Sequence, residues 1–371
     1  MTSYHRASTQ SVARIAAVVS NGCNPDPRVI REARWLTEVG HKVTIHAFDR
    51  GEEFSQIEEI DSVEIIRHRV GKTPYGATIS TAMGLRRFRN SVREKLGDID
   101  ILHCHDADTL HLAKFSTAPV LFDMHDLHHT WVRMPNPYSP LRRLISKQME
   151  RAMLKRAKDA SAIITSSIGF VNWLGARGFS SIAIENRPTM EQVLPPPANP
   201  TVGYFGRIRE TSSFVLLKEA LLKIPNENRP PLIIAGDGTH ASKVAALFAS
   251  VPEIESEIRG PFNESELPKM MAEISLMFAM YSPNRGNIKD GALPAKMFEA
   301  AAFGRPSIVN QNTLMGTICE EENLGSSVMW GDSNSLASTI SQLLGETVEL
   351  KIDESTERKR FLDIIETLLE K

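Results

Sequence analysis

The residues best placed to do chemistry together lie between Tyr281 and Asn310, in the order Y-S-P-N-R-G-N-I-K-D-G-A-L-P-A-K-M-F-E-A-A-A-F-G-R-P-S-I-V-N. Lys296 and Glu299 stand among Met297, Phe298 and the run Ala300 to Phe303, so two charges interrupt an otherwise apolar stretch. A carboxylate taken out of water needs a partner. Glu299 is therefore either a group that reaches a ligand or a helix residue turned to solvent. Lys296 falls in a first helical turn, where a cation opposes the helix dipole. It makes chemical sense beside a bound phosphate, and otherwise points into solvent.

These two residues need a strand, a loop and a helix to hold them. The apolar run Leu276 to Tyr281 predicts a buried strand, followed by a polar, glycine-rich loop carrying Asp290, Gly291, Ala292 and Leu293. A helix is expected from about Pro294 to Ala302, stopped by Gly304 and Pro306. A loop at the carboxyl end of a strand that feeds a helix N-terminus is where open α/β sheets bind anions.

Five histidines form a second candidate group: His103, His105, His125, His128 and His129, at two predicted strand ends. Imidazole can donate and accept a hydrogen bond at neutral pH. The run H-D-L-H-H lacks helical ligand spacing and a cysteine partner, so no metal is expected. The D-x-D at Asp98 reads as a turn, and the one at Asp106 as a helix cap. The loop at Gly22 lacks G-x-G-x-x-G, which argues against a dinucleotide dehydrogenase. G-D-G at Gly236 reads as a strand-ending turn.

The rest of the chain supplies the scaffold. Arg14 to Ser20 predicts a buried strand, and Asp26-Pro27 an N-cap followed by proline at the first helical position. Val29, Ala33, Leu36 and Val39 fall on one helical face, and Gly40 ends the helix. Strand and helix patterns alternate to about Glu185, including strands at Asp100 to Cys104 and Pro119 to Met124 and a long helix at Leu141 to Lys158. A proline-rich segment, Asn186 to Pro200, reads as a linker. Alternation then restarts at Thr201 and closes with helices near 335–344 and 357–370. This predicts an α/β protein with two Rossmann-like, doubly wound domains: 1–186, a linker at 187–200, 201–350, and a final helix in 351–371.

Composition agrees with a globular chain. It has 371 residues, 42% hydrophobic and 24% charged, with a net charge of -2. Nothing in that balance suggests nucleic acid. Cys23, Cys104 and Cys319 are far apart, as expected of reduced thiols in a cytoplasmic protein. No run approaches the roughly 18 apolar residues of a membrane span. The first dozen residues are polar, which predicts an unstructured tail rather than a signal peptide. Basic residues do cluster, at Arg86, Arg87, Arg89, Arg93 and Lys95, and again from Arg142 to Lys158 interleaved with Leu141, Leu144, Ile145 and Met149. That pattern is either a solvated basic face on a packed helix or peripheral contact with an anionic membrane.

Several segments, in order, resemble the GT-B glycosyltransferases of the retaining family-4 type. They are D-P-R-V-I-R-E-A-R-W-L, D-I-D-I-L-H-C-H-D, P-V-L-F-D-M-H-D, A-K-D-A-S-A-I-I-T-S-S, I-E-N-R-P, V-G-Y-F-G-R-I and A-L-P-A-K-M-F-E-A-A-A-F-G-R-P-S-I-V. The likeness covers nearly the whole chain past residue 12. It implies two Rossmann-like domains facing a cleft, with a nucleotide-sugar donor in the second and a glycan or lipid-linked acceptor in the first. It also implies retention and no metal or other cofactor. By the resemblance, Glu299 would hold the nucleotide ribose, Arg207 the diphosphate, and His125 the sugar. Arg209 or Lys296 would supply a second positive charge. Asp290 and the backbone of Gly291, Ala292 and Leu293 would meet the sugar. Gly22 would let the backbone approach the ligand, and Asn24 and Arg28 would meet the acceptor. Catalytic roles fall to His125, Arg207 and Asp290. The chain departs from the pattern twice: Gly291 stands where many members carry a glutamate, and Ser212 lies near where a lysine is expected. Those departures leave open a degenerate relative that binds a nucleotide or partner without turnover. A nucleotide-sugar epimerase on the same fold would need acid and base carboxylates that the sequence does not offer.

Overall fold

The computed structural model describes residues 12–74, 79–133, 136–283 and 285–370. The expected N-terminal tail lies outside them. The described chain forms two compact units. The first comprises residues 12–166, 174–184 and 358–370, and the second 167–173 and 185–357.

The first unit is built on eight strands: β1 (Arg14–Val19), β2 (Lys42–Phe48), β3 (Ile57–Ile60), β4 (Val63–His68), β5 (Ile101–His105), β6 (Val120–Met124), β7 (Ala162–Thr165) and β8 (Ile182–Ala183). Their order is β3-β4-β2-β1-β5-β6-β7-β8. Only the β3–β4 pair is antiparallel. β1 pairs with β2 on one side and β5 on the other, with Val18 opposite both His46 and Cys104. The winding direction therefore reverses beside β1, which opens a crevice at the carboxyl ends of β1 and β5. The helix Pro27–Glu38 starts as expected, with the Asp26 side chain accepting from the Val29 amide and proline in the first turn. It buries Val29, Ala33, Trp35 and Leu36 on the sheet. From Arg358 onward the chain belongs to this unit, where Phe361 packs on Trp35 at 5.6 Å between ring centroids.

The second unit has six parallel strands: β9 (Val202–Phe205), β10 (Leu232–Ala235), β11 (Ser256–Arg259), β12 (Leu276–Phe278), β13 (Ser307–Asn310) and β14 (Gly325–Val328). Their order, β11-β10-β9-β12-β13-β14, places the reversal between β9 and β12. The proline-rich segment has no helix or strand, yet it is pinned to this unit. Buried Arg305 donates to the Leu194 and Pro195 carbonyls at 3.0 and 2.8 Å. Arg187 forks onto Glu322 at 2.6 and 2.7 Å and lies 3.8 Å over the Phe298 ring.

Two elements carry no sequence signal of their own, and one helix start shifts. β3 is a short, charged I-E-E-I edge strand whose pairing, not its composition, makes it a strand. The helix Ile79–Lys95 buries only Gly84, Phe88 and Val92, so its apolar face was too thin to see. The loop after β12 holds a short helix, Gly286–Lys289, and Pro294 is the N-cap of the next helix (Ala295–Ala302) rather than its first residue.

Candidate active site

In the second unit the sequence-predicted donor residues converge on the carboxyl ends of β9 and β12, where the sheet reverses. β9 is followed by Gly206, at φ +129, and the turn there carries Arg207 and Arg209, both exposed. The Tyr204 hydroxyl donates to the Arg207 carbonyl at 2.9 Å and fixes that turn. Glu210 ties the two loops together, accepting from the Ser282 amide at 2.7 Å and from the Ser212 hydroxyl at 2.8 Å. β12 continues into Tyr281, whose amide and carbonyl are both bonded by the Asn310 side chain.

Lys296 does not point into solvent. It is buried, with Nζ 3.4 Å from the centroid of the Tyr204 ring and 5.6 Å from that of Tyr281. Among the described residues Nζ has no hydrogen-bond partner, and it lies 3.5 Å from where a Cβ at residue 206 would project. Burial, opposed by Glu299 and reinforced by Arg285, lowers its pKa to about 7. A cation stacked on aromatic faces without an anion leaves its donors unused. Glu299 is half-buried one turn along the same helix, and its pKa is raised, chiefly by desolvation.

The loop between the helices Gly286–Lys289 and Ala295–Ala302 corrects part of the donor reading. The Gly291 and Ala292 amides already donate to the Ile288 and Asn287 carbonyls, at 3.3 and 3.0 Å. They are therefore not spare donors for a sugar. The Gly291 carbonyl accepts from the Ser167 hydroxyl. Gly291 sits at φ +94, and a Cβ there would lie 2.6 Å from the Gly169 Cα. Glycine at 291 is required by this backbone contact, which excludes a glutamate in the same conformation. Asp290 caps the preceding short helix and is partly buried, and Leu293 is buried in the core beneath.

The first unit gathers its charges at the carboxyl ends of β5 and β6. Asp123, wholly buried in β6, takes a two-pronged contact from Arg28, Nε to Oδ2 and Nη2 to Oδ1, both at 2.8 Å. Arg28 also donates to the Ile184 carbonyl at 2.6 Å and lies 3.1 Å from Glu32. Arg28 is therefore a buried structural cation, and the expectation that it meets an acceptor is corrected. His125 is held between carboxylates: Nε2 is 2.9 Å from Asp123, and Nδ1 is 3.6 Å from Asp106. Burial alone would lower its pKa, but Asp106 and Asp123 together raise it to about 10. Asp123 is held well below the carboxylate range, the cost of burial being outweighed by Arg28 and His125. His125 is thus an imidazolium whose two nitrogens already face anions, with its side chain 17% exposed.

Asp106 is not a helix cap. It adopts φ +65, accepts from the His125 amide at 3.2 Å and lies 3.5 Å from His128 Nε2. Gly22 is explained by packing, because a Cβ there would lie 2.7 Å from the Phe54 ring. Asn24 is exposed in the same loop. Among the described residues, Glu32, His103, His105 and Asp123 bring ligand atoms within 4.8 Å of one another and could surround a cation. Arg28 already occupies both carboxylates of that group with positive charge.

Sequence reasoning missed Asp123, Asp106, Glu210 and the tyrosine pair. Asp123 was findable: it is the lone charge in the apolar run V-L-F-D-M, the same signal that singled out Glu299. Tyr204 and Tyr281 meet around Lys296 only through strand pairing.

Comparisons with known proteins bear on both units. Residues 28–185 match the model of Glycosyltransferase Family 4, and residues 199–346 match that of Glycosyl transferases group 1. No curated protein sequence matches the chain. Among solved structures, the sucrose-phosphate synthase of Thermosynechococcus elongatus is similar with a TM-score of 0.71 at 15% identity, over 96% of each chain. Anabaena HepE, solved in complex with UDP and glucose, is similar with a TM-score of 0.68 at 16% identity, over 96% of this chain and 100% of the other. The catalytic domain of Starch Synthase IV from Arabidopsis thaliana, solved bound to ADP and acarbose, gives 0.67 at 10% identity, over 97% and 100%. At these identities the structures speak for the fold, and the two family models speak for the family. The chain belongs to the GT-B glycosyltransferases.

Proposed function

We propose that the protein transfers a hexosyl group from a nucleotide-sugar to a glycan or lipid-linked acceptor, with retention and without a metal. The observation that carries the reading is Lys296, buried where the second sheet reverses, its Nζ without a hydrogen-bonded anion among the described residues, with Glu299 one turn away. A diphosphate would supply the missing anion, and the exposed Arg207 and Arg209 would close on its outer oxygens. Glu299 suits the ribose, since a carboxylate can accept from two hydroxyls. Its raised pKa falls once such hydrogen bonds form. As the sugar–phosphate bond breaks, negative charge grows on the leaving diphosphate. Cations held in a low-dielectric site stabilise that charge more than water would. The acceptor hydroxyl would attack from the face of the leaving group, giving up its proton to a donor phosphate oxygen. Asp290 would steady the sugar. Structural neighbours solved with UDP, glucose and ADP support a nucleotide-sugar donor here. His125 would act as a fixed positive group rather than a proton shuttle, because its pKa is pushed to about 10. The expected site is cytoplasmic. No described helix is long and apolar enough to cross a membrane.

A second reading, nucleotide binding without turnover, is favoured by Gly291 standing where many family members carry a glutamate and by Ser212 lying near where a lysine is expected. The test is a thermal-shift screen of nucleoside diphosphates and nucleotide-sugars, followed by donor hydrolysis with each binder, with and without chelator. Binding with hydrolysis insensitive to chelator is the expected result. Binding with no turnover of any donor would leave the second reading, and activity restored only by added metal would overturn the metal-free mechanism.

A further inference from the structure

One face of the first unit carries charge opposite to that of the whole chain. The helices Ile79–Lys95 and Pro140–Ala157 hold eleven lysines and arginines against two glutamates, in a chain of net charge -2. Both pack on the short helical turn Leu110–Phe115, which draws their cations together. His111 in that turn is pushed down to about 4 by burial and then by Arg89, Arg156 and Lys114. Glu150, the single acid of the Pro140–Ala157 helix, is bonded by Arg177 at 2.8 Å and does not offset the outward charge.

The same face is apolar at its tips. The Pro140–Ala157 helix is well formed, with Ser139 accepting from the Arg142 amide and proline in the first turn. It turns Ser146, Met153 and Ala157 inward. At 100° per residue, Leu141 and Leu144 then fall on the opposite side, with Ile145 at its edge. They are 65%, 56% and 36% exposed. Lys147, Arg151 and Lys155 share that outward arc and are exposed. On the neighbouring helix Ile79 is 80% exposed, and Arg93 lies 4.7 Å over the exposed Phe115 ring.

Large apolar side chains on a solvent face cost free energy unless something covers them. Here they are flanked by long cationic side chains that can lift their charges while their stems lie in an apolar layer. Scattered apolar tips within a field of lysine and arginine fit a fluid, negatively charged layer. We propose that the outward face of the Pro140–Ala157 and Ile79–Lys95 helices docks on anionic phospholipid headgroups, with Leu141, Leu144 and Ile145 entering the acyl boundary. The proposal stands apart from the reaction above.

The experiment is co-sedimentation of the full chain with phosphatidylcholine vesicles and with equimolar phosphatidylcholine–phosphatidylglycerol vesicles, at low and high salt. Binding to the anionic vesicles alone, weakened by salt, is expected. Lys147→Glu, Arg151→Glu and Lys155→Glu should each weaken partitioning by at least roughly fivefold, the effect of removing one cation from such a surface. Leu144→Glu with Ile145→Glu should abolish retention at intermediate salt. All these positions are exposed, and melting followed by circular dichroism checks that the variants stay folded. No binding to anionic vesicles, equal binding to neutral ones, or variants that bind as well as the parent would each overturn the proposal. So would retention on an acidic polymer such as heparin without vesicle binding, which would point to an acidic macromolecule instead.

Discussion

Lys296 and His125 show how the same residue property, burial, leads to opposite charge behaviour. Lys296 is desolvated against two tyrosine rings with only a distant carboxylate, so its pKa falls to about 7. Unfolded, it returns to the ordinary lysine range near 10.4. Between those values the unfolded chain binds more protons, so this residue's share of stability rises with pH from about 7 upward. Lys296→Met should flatten that part of the stability–pH curve in urea titrations. It should also weaken nucleoside diphosphate binding by about 1.5–3 kcal/mol, the range for a charge-assisted hydrogen bond. Binding above pH 7 should take up a proton, read by calorimetry in buffers of different ionisation enthalpy. His125 runs the other way. Its raised pKa contributes stability that is full below the ordinary histidine range and is lost as pH rises through about 10. Asp123→Asn should cost about 3–5 kcal/mol, because it removes the carboxylate that Arg28 grips with two prongs and leaves Glu32 as its remaining acidic neighbour. It should also bring the His125 titration, followed by NMR, down from about 10. An unchanged His125 titration in that variant would remove Asp123 from the account.

At the scale of elements, the loop joining β12 to the Ala295–Ala302 helix is built on a close backbone approach. Gly169 and Gly291 meet at a distance that admits no Cβ, and Gly291 is left-handed at φ +94. Gly291→Glu, which would restore the family's usual carboxylate, is expected to destabilise by at least about 2 kcal/mol and to lower nucleotide affinity. Chemical denaturation and calorimetry check both. The result would show that this chain's loop follows a different backbone path rather than lacking a side chain on the usual one. Glu299→Ala should weaken nucleotide binding with little change in stability, since removing a half-buried acid whose pKa is raised by desolvation relieves as much as it costs. Much at this scale was legible beforehand: the Asp26-Pro27 helix start, the buried β-runs and the Glu299 helix all follow from local rules. The charged edge strand β3 and the thin-faced helix Ile79–Lys95 did not, because each is stabilised by what it packs on rather than by its own pattern.

For the molecule as a whole, alternation of strands and helices on either side of a proline-rich break was enough to imply two parallel-sheet units, and the order of loose motifs implied the family. The sequence by itself determined the element types, their order, and the lone charges Lys296 and Glu299, because periodicity and the cost of burying charge act locally. Tertiary structure alone decided the rest. Strand order put the loops after β9 and β12 side by side, which brought Tyr204 and Tyr281 around Lys296 and moved its pKa. Pairing of β5 with β6 set Asp123 against Arg28, turning a residue expected to meet a ligand into a structural cation. Contact between Gly169 and Gly291, far apart in the chain, explains why no glutamate can stand at that position. Each outcome depends on distances between residues remote in sequence, which a pattern of neighbours does not encode.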